Sequence, residues 1–169
     1  MNMKKIIVMV LLLLPLGMVA QEVKIAVVKA NEILAQMPEV IAMQAELDKQ
    51  QQIYQKEMKS FDDDYTRKYQ DYMTQQDSLP ENISKIRLQE LQNMEMRMQN
   101  FQQFASQEIE KKETELFTPI KEKLQKAIDQ VGEENGYQLM FLYNPNIILY
   151  MGKSAIDATD QVKAKLGLK

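Results

Sequence analysis

The chain has 169 residues, no cysteine, no histidine and a formal net charge of −3. Without histidine or cysteine it lacks the usual general base, the nucleophile–histidine pairings and the ordinary zinc ligands, so it is read as a non-enzyme that needs no cofactor and no metal. An acidic balance with no basic cluster also excludes a nucleic-acid footprint or an anionic-membrane patch as the main activity.

The first residues are Lys4-Lys5, an uncharged apolar run over residues 6–16, and then Gly17-Met18-Val19-Ala20. This is the layout of a secretory signal peptide, taken as residues 1–20 with cleavage after Ala20. The apolar run is too short to span a bilayer, and no cysteine is present to carry a lipid anchor, so a soluble exported product is expected. Losing Lys4 and Lys5 takes the net charge from −3 to −5. Because a cysteine-free exported chain has no disulfide scaffold, its stability must come from burial.

Val23-Lys24-Ile25-Ala26-Val27-Val28 places Val23, Ile25 and Val27 on one face of a short strand. One or two helical turns follow around Ile33 and Leu34, and Pro38 both ends that helix and opens the next at its first position. From residue 39 to residue 131 there is no glycine, and only Pro80 and Pro119 interrupt a helix-favouring composition. One stripe runs through Val40, Met43, Leu47, Tyr54, Met58, Phe61, Tyr65, Tyr69 and Tyr72. A second returns through Ile83, Ile86, Leu91, Met94, Met98, Phe101, Phe104, Ile109, Leu116, Ile120, Leu124, Ile128 and Val131. Steps of three, four or seven residues make the first a single helix face, and with the second returning the stretch reads as an antiparallel hairpin with its tip at Asp77-Ser78-Leu79-Pro80. Pro38 and Pro119 then fall together at the base.

Gly132 and Gly136 are expected to stop the returning helix. Residues 137–143 and 147–151, almost continuously apolar, are predicted strands joined by the turn Asn144-Pro145-Asn146. A last helix over residues 158–166 takes Asp157 or Ser154 as its cap, and Gly167 follows it. Residues 21–38 and 119–169 form the β-rich body, and residues 39–118 form the arm. Three short strands with open edges call for pairing with further copies of the chain to close a barrel. The seam between copies is assigned to Val23, Ile25, Val27, Leu139, Phe141, Ile148 and Tyr150.

The filling of the hairpin points to function. Thirteen glutamines lie between Gln50 and Gln107, interleaved with Tyr54, Tyr65, Tyr69, Tyr72, Phe101, Phe104 and the trio Met94, Met96 and Met98. Most of each stripe must pack arm on arm, since a helix this long draws its stability from tertiary contact. What is left over makes an adaptable surface for varied partners, and glutamine can meet the unpaired backbone of an unfolded chain. Asp62-Asp63-Asp64 reads as a solvated helix face, because consecutive helical positions point about 100° apart and do not converge on one ion.

The first strand Lys24-Ile25-Ala26-Val27-Val28, the glutamine-rich hairpin, the strands flanking Asn144-Pro145-Asn146, and the ending Ile156-Asp157-Ala158-Thr159-Asp160-Gln161-Val162 together resemble the Skp/OmpH family of periplasmic chaperones. The resemblance covers essentially the whole mature chain. It implies an α+β, mostly α fold: a long antiparallel helical hairpin, a coiled-coil arm, projecting from a small β-barrel body formed by strands of three chains. It also implies a homotrimer whose arms enclose unfolded outer-membrane β-barrel proteins without ATP, with Phe61, Tyr65, Tyr69, Tyr72, Met94, Met98, Phe101 and Phe104 as the client-binding set. Unlike basic members of the family, this hairpin carries 18 acidic and 13 basic residues over residues 39–131. Weak or absent membrane lipid contact is therefore expected, with Lys85, Arg87 and Arg97 the basic residues near the tip. The rival reading is a structural coiled-coil spacer or adaptor of the cell envelope.

Overall fold

The computed structural model describes residues 23–168. The expected signal peptide and its cleavage point lie outside the described residues. The chain begins with strand β1 (Ile25–Val28) and the short helix α1 (Ala30–Leu34), whose Ile33 is fully buried. Met37 is extended, as a residue before proline prefers, and Pro38 opens helix α2 (Pro38–Gln75). Its 38 residues reach about 57 Å at about 1.5 Å per residue. At the tip Ser78 closes the helix end, its N–H and its hydroxyl both donating to Gln75 O at 2.9 Å. Pro80, extended, sits just outside helix α3 (Glu81–Asn135) as its N-cap.

Helix α3 corrects the expected boundaries. It runs 55 residues without a break, carrying Pro119 in its interior and passing through Gly132. Only Gly136 stops it, at φ 66°. There Tyr137 N–H donates to Gly132 O at 2.9 Å and Gly136 N–H to Glu133 O at 3.3 Å, a Schellman pair that satisfies the last carbonyls.

After α3 come strands β2 (Leu139–Leu142) and β3 (Ile156–Asp157), then helix α4 (Thr159–Lys165). The sheet order is β2-β1-β3, and both pairings are parallel, with Ile25 opposite Leu139 and Ala26 opposite Ile156. A parallel partner cannot follow through a tight turn, and here the whole helical arm is the crossover from β1 to β2. Residues 147–151 are not a strand. The turn at Asn144 does form, with Asn146 N–H donating to Asn144 Oδ1 at 2.9 Å, but no hairpin grows from it. The second edge of β1 is occupied instead by Ile156 and Asp157, secured by Ala158 N–H donating to Val27 O at 2.9 Å.

The core lies at the base. Ala26 and Val28 of β1, Ile33, Met37, Ala158 and Val162 pack against Ile120, Leu124, Ala127 and Val131 of α3. One sheet face is thus covered by helices, while Ile25, Leu139 and Phe141 remain exposed on the other. The result is a mostly helical α+β fold with two long helices and a small open sheet. No helix among the described residues is long and apolar enough to cross a membrane.

Candidate functional site

Along the arm the apolar stripes of α2 and α3 meet, and the eight expected client-binding side chains divide there. Phe61, Tyr65, Tyr72, Met94, Met98 and Phe101 are half-buried in the seam, whereas Tyr69 and Phe104 are exposed. The seam is welded by edge-to-face aromatics: Phe61 meets Phe101 with ring centres 5.2 Å apart, and Tyr54 meets Phe101 at 5.9 Å and Phe104 at 6.2 Å. Arg97 lies 4.8 Å over the Phe61 ring. Tyr65 stacks on Tyr69 at 6.1 Å and donates its hydroxyl to Glu95 Oε1 at 2.6 Å. That bond to a carboxylate holds the Tyr65 phenol above its ordinary value, so it remains a donor. Nearer the tip the Tyr72 hydroxyl lies 3.1 Å from Ser84 Oγ.

Charges at the tip are mutually engaged. Lys85 pairs with Glu81 at 2.6 Å, and Glu90 takes both Lys68 at 3.5 Å and Arg87 at 3.6 Å. Of the aspartate run, Asp64 pairs with Arg67 at 2.8 Å. At the arm's root Lys123 pairs with Glu39, whose carboxyl is held below its ordinary value by that lysine and by its own backbone N–H.

Several exposed apolar side chains were not picked out as partner-binding from the stripes. Ile41, Ile53, Met73 and Leu88 all face solvent, as do Met96, one of the methionines interleaved with the glutamines, and Ile86, a stripe residue. Their signal was present as apolar residues one or two positions beside a stripe residue, a displacement of about 100° per position around the helix.

The family described as outer membrane protein (OmpH-like) matches residues 24–166, from the first strand through both arm helices to the last helix. The chain belongs to the OmpH-like family. No curated protein matches it.

In this OmpH-like chain the expected seam residues are placed unequally. Ile25, Leu139 and Phe141 are exposed on the open side of the sheet and Val23, just before β1, is exposed as well, but Val27 is already buried inside the chain. Ile148 is half-buried and Tyr150 is 85% exposed, on a segment that is irregular rather than the expected strand. Next to them Ile147 and Leu149 are 74% and 92% exposed.

The body is tied by polar contacts that patterning alone did not reveal. Lys29 pairs with Asp157 at 2.8 Å, the Thr159 hydroxyl accepts the Lys29 N–H at 3.0 Å, and Asp157 Oδ1 accepts the Thr159 N–H at 3.0 Å. Burial pushes the Asp157 carboxyl up, but the bonds from Lys29 and Thr159 outweigh it and leave the group below its ordinary value. Asp157, one of the two expected caps, thus serves the start of α4 from two residues before it. Lys163, only 9% exposed, pairs with Glu32 of α1, and that hydrogen bond lowers the Glu32 carboxyl.

Proposed function

We propose that this chain is an ATP-independent periplasmic holdase that keeps unfolded outer-membrane β-barrel proteins from aggregating before their insertion, working as a homotrimer. Membership of the OmpH-like family supports a periplasmic role with outer-membrane proteins. The observation that carries the holding mechanism is the arm itself. Two helices far longer than the core requires present Ile53, Tyr69, Ile86, Met96 and Phe104 to solvent. A soluble chain has no folding reason to expose so much apolar surface along so thin a projection.

Residues 21–38 and 119–169 are the assembly body, and residues 39–118 are the client-holding arm. Three copies would bring together the open sheet faces at Ile25, Leu139 and Phe141 and cover the exposed segment around Ile147, Leu149 and Tyr150. Each arm contact with a client is weak. A long unfolded chain touches several arms at once, so its summed avidity is high while single contacts still exchange. Release follows when an insertion site lowers the free client concentration.

Dilution of a urea-denatured β-barrel outer-membrane protein into buffer tests this directly. At one trimer per client, light scattering should stay near the buffer baseline. Scattering equal to that of the client alone would sink the holdase reading and favour the envelope spacer or adaptor.

A further inference from the structure

One face of the arm carries a groove between α2 and α3 that extends from Gln51 to Tyr65 on one side and from Glu95 to Ile109 on the other. It consists of two stretches that share Met58 and Gln102. The floor is apolar, with Tyr54, Met58, Met98 and Phe101 all half-buried. Its rims carry the exposed glutamines Gln51 and Gln55 on α2 and Gln99 and Gln102 on α3. Elsewhere on the two long helices Gln44, Gln89 and Gln125 bind their own i+4 neighbours. Among the described residues the four rim amides have no such bond. No lysine or arginine lines either stretch, and the ionisable carboxylates there are Asp62 and Glu95, both at the end nearer the tip.

We propose that this groove seats an extended segment of unfolded polypeptide with apolar residues on one side, a basic residue at one end and no acidic residue. Resting on the holdase reading, this assigns the place and chemistry of a single client contact. From Gln51 to Tyr65 the helix rises about 21 Å, the length of about six residues of extended chain. Alternate side chains of such a segment point to one face and meet Met58, Met98 and the aromatic rings. Its backbone N–H and C=O groups, unpaired in an isolated strand, meet primary amides that both donate and accept. The carboxylates at one end complement a basic residue and repel an acidic one.

The probe is a peptide of alternating leucine and threonine ending in lysine, compared with the same peptide ending in glutamate. Each is titrated into the full-length protein with [methyl-13C]methionine. The lysine peptide should shift the methyl signals of Met58 and Met98 and leave Met43 at the arm's root in place. Gln55→Ala with Gln102→Ala should weaken it about tenfold, as expected for two lost hydrogen bonds. Asp62→Asn with Glu95→Gln should erase the preference for lysine over glutamate without abolishing binding. Unmoved Met58 and Met98 signals at saturation, equal affinity for the glutamate peptide, or an unchanged affinity in the glutamine variant would each overturn the groove. If they did so while the protein still suppressed aggregation, the groove alone would be lost. Peptide-induced shifts in a protein that failed to suppress aggregation would remove the holdase reading instead.

Discussion

Gly136 shows how a single backbone angle ends a 55-residue helix. At φ 66° it occupies the left-handed region, yet a Cβ built on it would meet nothing within 4 Å. Gly136→Ala should therefore cost about 1 kcal/mol through backbone strain alone, read as a lower urea midpoint with unchanged oligomeric state. The acidic groups of the body make a second residue-scale prediction. Glu32 and Asp157 both have folded-state values below their ordinary 4.5 and 3.8. A depressed carboxylate contributes stability above its unfolded value and loses it as pH falls through the folded one. The body should thus be at full strength near about pH 7 and weaken progressively below about pH 4.5. Glu32→Gln with Asp157→Asn should lower the urea midpoint at neutral pH and flatten that acid decline. An equally steep decline in the double variant would assign it to other groups.

Among the elements, α3 continues through a proline in its interior. Pro119 has no N–H to give the carbonyl of Glu115, and within the preceding turn Thr114 and Thr118 donate their hydroxyls to Glu110 O and Thr114 O. Since Pro119 is exposed, Pro119→Ala restores the missing bond without crowding the core. It should stabilise the chain by about 2 kcal/mol, the proline penalty less the entropy returned to the unfolded state. Calorimetry showing no rise in melting temperature would mean that the helix has already relaxed around the ring. The strands show the opposite balance. Residues 147–151 have the stronger β composition, yet Ile156–Asp157 take the edge of β1 because Asp157 and Thr159 are fastened to Lys29. Composition makes a strand possible, but an available edge decides which segment becomes one.

For the whole molecule, assembly and holding should be separable. Ile25→Asp places a charge on the open sheet face. If that face is buried between copies, an unpaired charge costs several kcal/mol and the variant should sediment as a monomer. An unchanged mass would place the contact elsewhere. Removing residues 50–107 and joining Lys49 to Glu108 by a short glycine-containing turn cuts the arm at matched heights, since Tyr54 already faces Phe101 and Phe104. The shortened chain should keep its oligomeric state and lose most aggregation suppression. If it still suppresses at the same ratio, the clients bind the body. The acidic arm also implies modest dependence on salt, because apolar and amide contacts persist when charges are screened. A client complex abolished by moderate ionic strength would contradict that.

The hairpin, its tip, Pro38 at the start of α2 and the first strand were legible in the chain alone, because helical periodicity and proline chemistry are local and repeat over many residues. The family resemblance was legible for the same reason, as it rests on that order of elements. Much of the adaptable surface was not: the side chains singled out on the stripes mostly fill the seam, while Ile53, Met73 and Leu88 beside them reach solvent. Periodicity marks the face that a helix buries, and only the partner helix decides how wide that face is. Strand choice, the reach of α3 through Pro119 and Gly132, and the pairing of Lys163 with Glu32 depend on contacts between residues distant in sequence. No local pattern encodes these, because each is settled by competition among segments for one edge, one groove or one counter-charge.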